Sequence, residues 1–155
     1  MNENLKNIVD WWILREKKLS KDNLDPFVRF FIYYMCLDAY MVSESEADSD
    51  TQKIDWLKNS DNSLKQLFID KEFDTSDLQG LMQYPRIEDM RPNHRGEYKE
   101  LKDTSDFSQV VDFIYQIRCN LFHGQKSPVN GKDLTLVDLS GRFLGNWIRW
   151  AHLKM

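Results

Sequence analysis

Apolar residues recur along most of the chain at the spacing of one helix face. Leu5, Ile8, Val9 and Trp12 form such a stripe, with Asn2 or Asn4 available as a cap and Arg15, Glu16, Lys17 and Lys18 at the far end. Asp25-Pro26 then supplies a capping carboxylate and a proline suited to the first helical position, and Phe27 to Val42 runs almost continuously apolar. A helix hydrophobic on every side belongs at the centre of a bundle, surrounded by the others. The aromatic and β-branched content of the segment leaves a buried strand as the alternative.

Between Ser43 and Asp50 the chain is acidic and small, which predicts an exposed loop. Thr51 is positioned to cap a short helix carrying Ile54 and Leu57, and Ser63 to Phe68 predicts another. Residues 72–106 hold Gly80, Pro85, Pro92 and Gly96 with few periodic apolar positions, so an irregular stretch is expected, broken by a helical turn near Leu78 to Met82. Ser108 would cap a helix whose Val110, Ile114, Ile117 and Leu121 form one stripe and whose Val111, Tyr115, Arg118 and Phe122 form the next, with Gly124 as its stop. After Ser127-Pro128-Val129-Asn130-Gly131 a last helix carries Leu136, Val137, Phe143, Leu144, Trp147, Ile148 and Ala151, and Gly141 and Gly145 on it would admit a close neighbour. No repeat and no alternating strand pattern is evident. The expected fold is all-α, a compact helical bundle with a central apolar helix, in one domain over residues 1–155.

Charge narrows the function classes. With 21 Lys plus Arg against 25 Asp plus Glu, the net charge of −4 argues against a protein that coats nucleic acid by bulk electrostatics. Residues 1–85 carry 10 basic and 16 acidic side chains and residues 86–155 carry 11 and 9, so a polyanion should meet the C-terminal part. Cys36 and Cys119 lack metal-ligand spacing and read as reduced thiols, and three scattered histidines complete no ligand set, so neither a metal nor another cofactor is expected. Without a signal-type segment or a membrane-length apolar run, the chain reads as soluble and cytoplasmic.

The candidate chemistry lies in Tyr115-Gln116-Ile117-Arg118-Cys119-Asn120-Leu121-Phe122-His123-Gly124, where an arginine and a histidine close an apolar helix end. Arginine grips phosphate through a planar fork, and histidine, with a pKa of about 6.5, exchanges protons near neutrality. Taken by spacing alone, a solvated cation and a helix-dipole partner account for the pair better than catalysis does. The run of Arg118, four residues, His123, then Gly124 and Lys126, resembles the signature of the HEPN superfamily, small helical proteins of which many are metal-independent ribonucleases. That resemblance implies an endoribonuclease acting as a homodimer, with two copies of the motif facing each other across one composite cleft. It also implies a toxic or defensive role and an inhibitory partner protein.

In such a cleft the RNA's own 2′-hydroxyl would attack, with His123 as base, acid or both and Arg118 steadying the charged transition state. Positions five apart differ by roughly 140° on an ideal helix, so Arg118 and His123 meet only if the arginine curls round, the terminus loosens or the pair works across a dimer. Asn120 is a candidate to orient phosphate or ribose and Lys126 to hold a flanking phosphate, although solvated polar groups beside a turn describe both equally well. Asp38 is the acidic residue best placed to orient Arg118 or His123, or else a polar boundary to its helix. His94, in the basic run Arg91-Pro92-Asn93-His94-Arg95, would guide RNA or simply be solvated, and His152 has no expected role. Cys119 stands where many members carry a polar residue. Gln125 stands where a subgroup paired with nucleotidyltransferases has a tyrosine that the partner modifies, so that regulation is not expected. The alternative function is a noncatalytic HEPN-like module that binds RNA or nucleotide, or dimerises, through the same residues.

Overall fold

The computed structural model describes residues 2–20, 25–84, 86–94, 96–122 and 131–155. Seven helices are found among them: α1 (Glu3–Ser20), α2 (Pro26–Glu44), α3 (Asp50–Asn59), α4 (Ser63–Asp70), α5 (Ser76–Leu81), α6 (Phe107–Phe122) and α7 (Gly131–Lys154). They pack as an all-α bundle. A small antiparallel hairpin, β1 (Arg86–Glu88) with β2 (Tyr98–Glu100), sits between α5 and α6 and encloses a 3-10 turn at Pro92–His94. No described helix is long and apolar enough to cross a membrane.

Local signals explain the helix starts. The Asn2 side chain accepts from the Leu5 amide at 2.7 Å, and Asp25 accepts from Phe27 at 2.8 Å with Pro26 opening α2. Two caps differ from expectation by a couple of residues. Ser49, not Thr51, caps α3 through Gln52, and Asp106, not Ser108, takes the Gln109 amide at the head of α6. Each pair of neighbours carries equally good oxygen acceptors, so only the backbone geometry selects one.

The long helices α2 and α7 form the centre, and small residues let them touch. A Cβ on Gly141 would lie 3.1 Å from the Phe30 backbone nitrogen, and one on Gly145 would lie 2.8 Å from the Tyr33 ring. Around that contact, Phe68, Phe107, Phe143 and Trp147 form a buried aromatic cluster with centroids 5.0–6.3 Å apart. The Trp147 indole donates to the Leu64 carbonyl at 3.1 Å, tying α7 to α4. Helix α2 is not enclosed on every side, however. Val28, Phe31 and Val42 remain at least 40% exposed, because the neighbouring helices cover that strip only in part, Trp12 of α1 and Phe122 of α6 meeting Phe31 at its edge.

The hairpin was not expected, and its size shows why. Each strand has three residues, only Ile87 of the six is buried, and β2 is exposed throughout, so there is no alternation to read. Gly96, with φ of 86°, turns the chain into β2, and the Arg86 guanidinium lies 4.4 Å over the Tyr98 ring. Cys36 and Cys119 are both buried free thiols, and burial pushes the Cys36 thiol up to about 12.

Candidate functional site around Arg118

Arg118 occupies the last turns of α6 with its side chain about one-fifth exposed. Its Nη2 pairs with Asp50 Oδ2 at 2.9 Å, and the guanidinium lies 4.6 Å over the Phe122 ring, with Tyr34 and Tyr115 at 5.7 and 5.9 Å. Its Nε is buried and has no hydrogen-bond partner among the described residues. The arginine is thus held by one edge and one face, and part of its donor set is unspent.

A charge relay supports it from behind. Asp50, the first residue of α3, also pairs with Lys53 at 2.9 Å, and Lys53 in turn is bound by Asp38 of α2. The Lys53 hydrogen bond first, and Arg118 after it, hold the Asp50 carboxyl below its ordinary range. Asp38 therefore reaches Arg118 only through Lys53 and Asp50. Burial pushes Tyr34 up, and burial together with neighbouring Cys119 pushes Tyr115 up to about 12, so both rings stay neutral beside the cation.

Asn120 is neither solvated nor turned toward Arg118. At 1% exposure, its Oδ1 accepts from the Met90 amide at 3.1 Å and from Gln116 Nε2 at 3.0 Å, and its Nδ2 donates to the Glu88 carbonyl at 3.0 Å. These bonds fasten the end of the hairpin strand to α6. Two positions along a helix differ by roughly 200°, which sends Arg118 toward α2 and α3 and Asn120 toward β1. His123 and Lys126 lie outside the described residues, as does Gly124.

Within the basic run, Arg91 and His94 each meet a carboxylate, and Arg95 lies outside the described residues. Arg91 grips both oxygens of buried Asp89, with its shortest bond at 2.6 Å, and His94 Nδ1 lies 2.7 Å from Glu97. That grip holds the Asp89 carboxyl down at about 2. The ligand atoms of Asp89, His94 and Glu97 lie within 4.8 Å of one another, the spacing a cation would need, but the Arg91 guanidinium already occupies Asp89 and opposes a second positive charge. His152 pairs with Asp10 at 2.7 Å and joins α7 to α1.

Sequence reasoning missed Asp50, Lys53 and the aromatic surround of Arg118. Asp50 closed an acidic stretch that looked like plain loop, and nothing local indicates that one of its carboxylates faces α6. A second feature is continuous with the site. Trp11, Trp12, Phe31 and Phe122 form a chain of ring contacts at 4.8, 6.4 and 5.7 Å, ending under the Arg118 guanidinium. Trp11, Phe31 and Phe122 are 57%, 40% and 48% exposed. Three large aromatics left open in a row form an apolar patch of the kind that marks a contact surface.

No family model, curated protein or solved structure matches the chain.

Proposed function

We propose that the protein is a metal-independent, HEPN-like endoribonuclease acting on RNA in the cytoplasm as a homodimer, with Arg118 and His123 as its catalytic pair. The observation that carries this reading is the state of Arg118: a half-buried guanidinium at a helix end, steadied by Asp50 and Phe122, whose Nε has no hydrogen-bond partner among the described residues. A preorganised cation of this kind suits the charge that develops on a phosphate under attack. His123, next in sequence after Phe122, would move the protons, and Lys126 would hold a flanking phosphate. Asp38, Lys53 and Asp50 would fix the arginine, and Asn120 would hold the hairpin rather than the substrate.

The aromatic row from Trp11 to Phe122 supports the dimer, since a second copy seated there would bring two Arg118 side chains toward one cleft. Mixing two inactive variants tests the composite site. Arg118→Ala and His123→Ala chains, each inactive alone, should regain part of the activity when combined, because a mixed dimer restores one arginine and one histidine to a shared cleft. Sites complete within single chains would give no recovery.

The Asp50 ion pair favours a second reading, in which Arg118 is already satisfied and the surface serves a noncatalytic module that binds RNA or dimerises. RNA that is retained by the protein but never cut would support it. A toxic or defensive role under an inhibitory partner belongs to the first reading and is tested by growth arrest on expression.

A further inference from the structure

A cavity of about 430 Å³ opens between α1, α2, α5 and α7, and none of its lining residues belongs to the Arg118 network. Its floor is the α2–α7 contact, Tyr33 against Gly141 and Gly145. Three arginines, Arg29, Arg142 and Arg149, stand around it. Their own pairing is loose. Arg142 reaches Asp77 and Asp138 at 3.5 Å each, and Arg29 reaches Glu16 at 3.6 Å and Asp138 at 3.8 Å. Arg149 bonds the Gly145 carbonyl and the Asn146 side-chain oxygen and has no carboxylate pair among the described residues. Charge-assisted bonds in a tight pair run at about 2.7–2.9 Å, the range in which Arg118 and Asp50 sit. Three guanidinium groups thus converge on one hollow, two of them holding their carboxylates only at 3.5–3.8 Å.

The hollow also holds acceptors and a buried hydroxyl. The Tyr33 hydroxyl is buried, and burial, opposed by Arg149 and reinforced by Glu16, pushes the phenol up, so it stays neutral. Asp74 and Asp77 line the same space. Burial raises the Asp77 carboxyl above its ordinary range, against the pull of Arg142. A bare anion would satisfy the arginines and leave these carboxylates facing it. A ligand that joins an anion to hydroxyl or amino groups satisfies both sets. The volume falls in the roughly 300–1,000 Å³ range of small-molecule sites.

We infer that this cavity binds a small phosphorylated molecule bearing hydroxyl groups, with Arg142 and Arg149 gripping the phosphate and the Asp74–Asp77 side taking the hydroxyl hydrogens. The site is separate from the proposed RNA cleft and does not depend on that reading.

Calorimetric titration with ribose 5-phosphate, inorganic phosphate and ribose tests it on the full chain. Ribose 5-phosphate should bind more tightly than inorganic phosphate, and ribose should not bind. Arg142→Ala and Arg149→Ala should each weaken binding by about tenfold or more, the worth of a lost charged hydrogen bond. Both side chains are exposed enough that thermal unfolding should stay near that of the parent. Arg118→Ala should leave the affinity unchanged. No binding of ribose 5-phosphate at millimolar concentration, equal affinity for inorganic phosphate, or binding that survives both arginine variants and falls with Arg118→Ala would overturn the assignment.

Discussion

Asn120→Ala should destabilise the protein without touching the proposed chemistry directly. The side chain is 1% exposed and makes three hydrogen bonds at 3.0–3.1 Å, to Met90, Glu88 and Gln116. At about 0.5–1.5 kcal/mol each, their loss comes to roughly 2–4 kcal/mol, before any relaxation of the hairpin. For a chain of this size that corresponds to a fall in midpoint of roughly 5–15 °C. Urea denaturation followed by circular dichroism measures the difference. Asn120→Asp separates the groups: it keeps the acceptor facing Met90 and Gln116 but turns a carboxylate oxygen toward the Glu88 carbonyl, so it too should be destabilised. A loss below about 0.5 kcal/mol for Asn120→Ala, the level of an ordinary surface substitution, would refute the fastening role. It would return Asn120 to the list of groups free to meet a substrate.

Gly141→Ala should cost up to about 2 kcal/mol, since a Cβ 3.1 Å from the Phe30 backbone overpacks the α2–α7 contact at about 1–3 kcal/mol and the helix propensity regained offsets about 1 kcal/mol; denaturant midpoints check this. Asp89, held at about 2 by Arg91 against about 3.9 in the unfolded chain, contributes up to about 2 kcal/mol above pH 4 that is lost as pH falls toward 2, and salt screening reduces it. Asp89→Asn should flatten the stability profile between pH 5 and 2 in acid titrations, and an unchanged profile would rule the pair out as its source. Phe31→Asp, in the middle of the exposed aromatic row, should leave a folded monomer where light scattering finds a dimer for the parent. A parent that is monomeric at micromolar concentration would remove the composite cleft.

The helices that carry the core were legible because their signals are local. Leu5 with Val9, the stripes of α6 and the run from Phe143 to Ala151 all repeat at helical spacing, and Asp25-Pro26 marked the start of α2. Gly141 and Gly145 announced the close neighbour that proved to be α2. What escaped notice depends on residues distant in sequence. Nothing near Asn120 reveals that the backbone at Glu88 and Met90 folds over it, and nothing in the acidic run ending at Asp50 reveals Arg118. Hydrophobic content alone also overstated the enclosure of α2, since Phe31 and Val42 lie on a strip that its neighbours cover only in part.

The central claim is that Arg118 and His123 cut RNA through its own 2′-hydroxyl. Incubating purified protein with mixed RNA in excess EDTA and analysing the cleaved ends tests it most directly. The account predicts cleavage without metal, a 2′,3′-cyclic phosphate on one product, and intact DNA under the same conditions. His123→Ala and Arg118→Ala should each abolish most cleavage, and Arg118→Lys should fail substantially because it keeps the charge but loses the planar two-pronged hold. An absolute requirement for a divalent ion, or full activity in His123→Ala, would contradict the account.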